Sequence, residues 1–323
     1  MDLRQRSALI NEARRRLDTT PTDYRTLGLI FAGAMTAVMA LLSIAVNLLQ
    51  GGIADTGGLS GIGTRAVLET AISVLQLLGN LAVPFWTFGY VFCMLGAVRG
   101  YRMEKQHLFT GFRRLGPVLR LNIYRTLRYV LIAILSIYPS MILFLLSPLG
   151  TPVMELLLPY ATQSADTAAI ISAMDETTLL ALSDAMLPIF WIYGALFGLL
   201  ALPIHYQMRL ADYILMDEPG LGALRAVRKS NILMHRNRFA MLRLDLRFWW
   251  YYGAQALGLG LCYAPTILSL VGMDVAPIGE LLFYAAYLAA EFFLFAFGRS
   301  QVEAAVALAY DGLRESLDMK KDG

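Results

Sequence analysis

The chain has 323 residues, 57% of them hydrophobic, with a mean hydropathy of +0.57 and a formal net charge of +3. That is too apolar for a soluble domain, where about 45–50% is usual. Its two cysteines, Cys93 and Cys262, lie in apolar segments and exclude both a disulfide framework and a cysteine-based zinc site.

The charge is sorted along the chain. Of 27 lysines and arginines, 26 fall in residues 1–26, 99–128, 209–247 and 299–323, together with 14 carboxylates; Arg65 is the exception. The remaining connections carry eight carboxylates against that one cation. Such segregation is what the positive-inside bias produces in a multipass membrane protein, so the basic stretches are predicted to be cytoplasmic. Basic loops flanking membrane spans are topology signals, and no nucleic-acid partner is expected.

Residues 1–26 form a charged cytoplasmic segment, and no small-residue cleavage site follows the first apolar run, which excludes a cleaved signal peptide. The first span is Leu27–Leu49, whose 23 residues cover roughly 30 Å of hydrocarbon at about 1.5 Å per residue. A Gly-rich outer link, 51–64, reads as a flexible connection without a phosphate-loop pattern. The second span, Ala66–Val98, exceeds what a bilayer needs and is predicted to tilt, to project outward or to bend at Pro84. In 99–128, Leu108, Phe112, Leu115, Leu119 and Ile123 recur near helical spacing among eight cations, which predicts amphipathic interfacial helices. Arg113, Arg114 and Arg120 are its lipid-facing candidates.

The third span is Tyr129–Ser147, interrupted by Pro139; the outer connection 148–186 has five carboxylates and no cation, with Ser164–Leu182 predicted as a surface helix. The fourth span, Leu187–Gln207, is predicted to continue as helix to Met216, and Gly194 and Gly198 have the spacing that lets helices approach closely. The connection 209–247 again alternates basic and apolar residues, with Arg225, Arg228 and Lys229 as lipid-facing candidates. Asp217-Glu218-Pro219 suits a turn entering a helix, aspartate capping and proline at an early helical position. Spans five and six are Phe248–Val271 and Pro277–Gly298; Trp249, Trp250, Tyr251 and Tyr252 suit an interface. Arg299–Gly323 reads as an amphipathic cytoplasmic tail. The expected fold is therefore an all-α polytopic bundle of six transmembrane helices with both termini cytoplasmic. It forms one integral membrane domain: N-terminal segment 1–26, bundle 27–298 and tail 299–323.

Two carboxylates lie in span six. Glu280 and Glu291 are 11 residues apart, three turns, so they share a face at about 16 Å separation. Glu280 sits near the outer end and reaches water. Glu291 is deeper, where a charge must be paired, protonated or set in a wet cavity; Arg99, His205 and Arg209 are the pairing candidates. Arg209 and Asp212 are spaced for an ion pair, and Asn47, Asn80 and Gln255 for interhelical hydrogen bonds. No HExxH or GxSxG motif occurs and His107, His205 and His235 are scattered, so no catalytic residue, metal or cofactor is expected.

The run from Tyr213 to Trp250 carries a recognisable pattern: Tyr213, Ile214, Asp217 and Pro219; Ala223, Leu224 and Ala226; Ser230, Leu233 and Met234; then Leu242, Leu244, Phe248 and Trp249. It resembles the DUF975 family of bacterial membrane proteins, with Arg236 and Phe239 standing where that family usually has glycine and tryptophan. Ala307–Leu313, through Tyr310 and Leu313, is similar to the family's ending. The resemblance implies a multipass protein of the bacterial cytoplasmic membrane and no assigned activity. Two readings follow. In the first, the protein is a non-catalytic membrane component whose basic loops rest on anionic headgroups or dock a protein partner. In the second it is a small transporter or permease subunit, with helices broken at Pro84, Pro139, Pro203 and Pro265 and Glu291 in a proton or solute path.

Overall fold

An apolar segment in hydrocarbon must close its backbone hydrogen bonds internally, and the long apolar runs of this chain do so as helices. The computed structural model describes residues 6–54, 62–161, 175–270, 273 and 276–318. Among them there is no strand. In chain order the helices are α1 (Arg6–Thr19), α2 (Tyr24–Ala54), α3 (Ile62–Val98), α4 (Leu115–Leu146), α5 (Thr151–Ala161), α6 (Glu176–Met208), α7 (Ala211–Asp217), α8 (Ala223–Met234), α9 (Arg238–Asp245), α10 (Trp249–Leu270), α11 (Pro277–Phe293) and α12 (Arg299–Asp318). A 3-10 turn, Lys105–Phe109, and a single helical turn, Thr110–Arg113, precede α4; a π turn, Leu294–Gly298, joins α11 to α12.

Five stretches of described helix are long and apolar enough to cross a membrane: Tyr24–Val46, Val67–Val98, Leu115–Leu146, Pro188–Asp217 and Gly279–Ser316. The expected fifth span, now α10, is a 22-residue helix but is not among them.

The expected proline breaks are corrected. α3 runs through Pro84, α4 through Pro139, α6 through Pro203 and α10 through Pro265. Long apolar helices tolerate the lost N–H because neighbouring groups re-satisfy the freed carbonyl. Three boundaries also move. α4 begins at Leu115, so half of the predicted interfacial element at 99–128 is the first part of an apolar helix. The fourth span does not continue unbroken to Met216; it stops at Met208, and α7 restarts after a turn at Arg209–Leu210. Of the predicted surface helix, 176–182 are the opening turns of α6 and 164–174 lie outside the described residues. Asp55, Asp166 and Asp274, and the side chains of Arg65, Asn47 and Asn80, lie outside them too.

The chain divides into two units, 1–122 with 209–323, and 123–208. In the first, α12 is central: Val302 and Ala304 through Tyr310 are all buried. The predicted amphipathic tail is in fact a core helix, because its small residues let neighbours close on it from every side. α1 lays Leu9, Ala13 and Leu17 into the same core at helical spacing. Phe31 of α2 stacks on Tyr90 of α3 at 4.4 Å and meets Phe295 edge-on at 5.8 Å. The segment before α4 is pressed onto α3 at two glycines. A Cβ on Gly89 would lie 1.8 Å from the Leu108 carbonyl oxygen, and one on Gly111 would lie 2.0 Å from that of Phe85.

The second unit contains most of α4 with α5 and α6, and Phe144 and Val153 are among its buried residues. Ser136 and Ser140 are buried and donate back to the Ile132 and Ser136 carbonyls at 2.7 and 2.8 Å. The glycine pair of α6 is open among the described residues: nothing of them lies within 4 Å of a Cβ on Gly194 or Gly198.

Candidate functional site

Three of the four basic stretches meet in the first unit, and they meet through their carboxylates. α3 ends at Val98, and the chain turns away at Gly100 with φ +80°, a value that favours glycine. That turn leaves Arg99 pointing at the ends of α7 and α12. Its guanidinium donates from Nη1 to Asp217 Oδ1 at 2.6 Å and from Nη2 to Oδ2 at 2.9 Å, a fork on one carboxylate. The same group donates from Nε and Nη2 to Asp311 at 3.2 and 2.6 Å. Tyr310 Oη (2.8 Å) and Arg314 Nη1 (2.5 Å) complete the shell of Asp217, which thus receives four donors. The Asp217 hydrogen bonds hold the Arg99 pKa above its ordinary value against the opposing effect of burial, with Asp311 adding to them.

The ring of Tyr310 lies 5.5 Å from that of Tyr213, which carries the network onward. Tyr213 donates to Glu303 Oε2 at 2.9 Å, and Arg299 Nε stands 3.5 Å from Glu303 Oε1. Arg299 is at once set over the faces of Phe31 (5.0 Å) and Phe295 (5.3 Å), where aromatic quadrupoles favour a cation. Further along, Arg209 Nη2 lies 3.6 Å from Asp245, which also accepts from Tyr252 at 3.4 Å.

Arg99, Arg209, Arg299 and Arg314 thus face Asp217, Asp245, Glu303 and Asp311. Burying charge is costly unless it is paired and hydrogen-bonded, and this set balances. Chemically it is a clamp, fastening the end of α3, the α7 turn and α12 together. Among the described residues no group of His, Cys, Asp and Glu side chains could hold a metal ion.

The family-pattern residues predicted from the sequence divide between this clamp and its support. Tyr213 and Asp217 are members. Ser230 is fully buried on α8 and accepts from the Leu210 N–H at 3.2 Å, satisfying a donor freed where α6 gives way to α7. Ser230→Ala leaves that N–H bare and is expected to lower stability by about 1–2 kcal/mol, measured as a reduced thermal midpoint in detergent. Met234 is buried; Pro219 is exposed. The predicted capping role is corrected: α8 starts at Ala223 behind Gly222, and the Asp217 carboxylate is taken by Arg99.

The other predicted residues go elsewhere. Arg209 has Asp245 as an ion-pair partner. Arg99 and Arg209 are spent within the clamp, and the His205 ring lies 3.3 Å from Tyr129 Oη in the second unit. Gln255 donates to Tyr251 on its own helix. Arg113, Arg120, Arg225 and Arg228 are exposed, Arg114 donates to the Leu215 carbonyl at 3.4 Å, and Lys229 pairs with Glu218. Glu280 is exposed in the first turn of α11; Glu291 is buried. Sequence reasoning missed Asp245, Arg299, Glu303, Asp311 and Arg314 as clamp members. Their one common signal was that the basic stretches hold 14 carboxylates beside their 26 cations.

A family profile described as a protein of unknown function, DUF975, matches residues 7–290. The chain belongs to the DUF975 family. No curated protein and no solved structure matches it. The DUF975 match takes in Arg99, Arg209, Tyr213, Asp217 and Asp245 and stops before Arg299, Glu303, Tyr310, Asp311 and Arg314. The expected likeness of 307–313 to the family's ending therefore lies beyond the matched residues, although α12 supplies half of the clamp that the DUF975 pattern residues complete.

Proposed function

We propose that this DUF975 protein is a six-span component of the bacterial cytoplasmic membrane with both termini in the cytoplasm. It catalyses no reaction and seats its basic elements on anionic lipid headgroups. One observation carries this reading. α8 buries Ala223, Ala226, Val227, Ser230, Leu233 and Met234, while Leu224 (63%), Ile232 (59%) and, beyond it, Phe239 (79%) stay exposed beside Arg225 and Arg228. Large apolar side chains left bare between arginines suit the boundary between headgroup and acyl chain, where both kinds of group find a partner. The basic surplus of the four predicted inner stretches favours an anionic leaflet in the same way. A docked protein partner is the other occupant of this surface.

Charge reversal at Arg225 and Arg228 together tests it. Each cation near an anionic surface is worth about 1 kcal/mol, so the double reversal is expected to weaken association with phosphatidylglycerol-containing bilayers at least about tenfold, with neutral bilayers unaffected. Equal retention of both lipids by the unaltered protein after purification would sink the reading. The transporter reading loses its interrupted helices, since α3, α4, α6 and α10 pass through their prolines. What still favours it is Glu291.

A further inference from the structure

Glu291 is 6% exposed on the last turn of α11, and among the described residues it makes no hydrogen bond and lies outside ion-pair distance of every cation. Its carboxyl is turned toward α10 at Gly258. A Cβ on that glycine would come 3.6 Å from Glu291 Oε1 and 3.8 Å from the ring of Tyr287, ordinary contact distances that place the carboxyl against the α10 backbone. The charge around it is already spent. The clamp sets four arginines against four carboxylates, and Glu291 is a fifth carboxylate. The charged and titratable groups whose fields meet it are Arg299 from α12, Tyr251 from α10 and Tyr287 from its own helix. α2, which packs on α11, has Tyr24 and Arg25 in its first turn as its ionisable side chains. Arg299 is held at 3.5 Å by Glu303 and by the Phe31 and Phe295 rings.

An isolated carboxylate in such surroundings is expensive, whereas its neutral acid is not. A metal ion would need several oxygen ligands at once, and a proton needs only the one carboxyl. Between Glu291 and Arg299 the chain makes the π turn Leu294–Gly298, a local widening without proline. α2 comes close to that turn, where a Cβ on Gly28 would lie 2.7 Å from the Ala296 carbonyl oxygen.

We propose that Glu291 is a proton-binding site of this protein, and that Arg299 is the cation that responds to its loss of the proton. With the proton bound, Arg299 stays with Glu303 and the clamp is balanced. With it released, Glu291 competes with Glu303 for Arg299 across the π turn, so the proton at Glu291 is coupled to Tyr213 and the α7 turn. This site stands whether or not the basic surface rests on lipid, because its test reads the carboxyl itself.

The test uses dicyclohexylcarbodiimide, an apolar reagent, on the full chain in detergent micelles. The carboxyl proton passes to a carbodiimide nitrogen while the carboxylate oxygen bonds the central carbon; the acyl group then shifts to nitrogen and nothing leaves. Peptide mass spectrometry is expected to find the adduct on Glu291 in mildly acidic buffer and about tenfold less of it in alkaline buffer. It is expected to be absent from Glu291→Gln, which keeps the thermal midpoint of the unaltered protein. Arg299→Gln removes the cation that favours the ionised form and is expected to carry labelling into alkaline buffer. The proposal is overturned if folded protein gives no adduct at Glu291 in either buffer while the unfolded chain does. It is equally overturned if labelling ignores both pH and Arg299→Gln, or if Glu291→Gln unfolds the protein, the signature of a structural ion pair.

Discussion

Replacing Asp217 with alanine is expected to destabilise the protein by about 3–5 kcal/mol, the usual consequence of removing one partner of a buried charge pair. The carboxylate receives two donors from Arg99 and one each from Tyr310 and Arg314. Its loss leaves the Arg99 guanidinium with Asp311 alone and Tyr310 with an unsatisfied hydroxyl. Arg314 is different: its side chain is 43% exposed, and Arg314→Ala is expected to cost at most about 1 kcal/mol. Arg99→Lys should behave like a loss, since a point charge on a flexible stem cannot reproduce a fork on Asp217 together with two bonds to Asp311. Thermal unfolding of the purified variants in detergent orders them: Asp217→Ala lowest, Arg99→Lys next, Arg314→Ala near the parent. Equal midpoints for all three would mean that the clamp holds nothing.

Gly89→Ala is the second large effect, expected at about 3 kcal/mol or more, the upper range for overpacking. The added Cβ would sit 1.8 Å from the Leu108 carbonyl oxygen, a backbone atom that no rotamer change can move. The 3-10 turn Lys105–Phe109 would have to lift from α3, and with it the Phe85–Phe112 and Trp86–Phe109 ring contacts at 5.5 and 4.9 Å. Gly111→Ala meets the Phe85 carbonyl oxygen in the same way and should match it. Gly194→Ala and Gly198→Ala meet nothing and are expected to stay within about 0.5 kcal/mol of the parent or to gain slightly from the better helix propensity of alanine. The comparison, read as thermal midpoints, separates glycines that are needed from glycines that merely have a suggestive spacing.

Legibility in the sequence followed the range of the interaction responsible. Long apolar runs declare helices because the requirement to satisfy backbone groups acts within each segment; α2, α3 and α11 all lie close to their predicted positions. Asp217 was legible as a pattern residue but not as an Arg99 ligand, since 118 residues separate them. Tyr213 and Glu303 are 90 apart, and Arg99 and Asp311 are 212 apart. Glu291 was legible as a problem, a carboxyl placed too deep; that its surroundings are Gly258 and Tyr287, with no cation at ion-pair distance among the described residues, depends on how α10 lies against α11.

The sequence by itself determined the class of this protein: its apolar runs and sorted charges demand a helical membrane protein, since composition and period are properties each segment carries alone. The family pattern from Tyr213 to Trp250 was readable for the same reason. Only the tertiary structure decided what those residues are for. It turned a predicted amphipathic tail into the core helix α12, took Asp217 from a helix cap to a four-donor carboxylate, and kept α3, α4, α6 and α10 continuous through their prolines. The physical reason is that pairing, burial and the satisfaction of a freed carbonyl are settled by neighbours distant in the chain, and only packing brings those neighbours together.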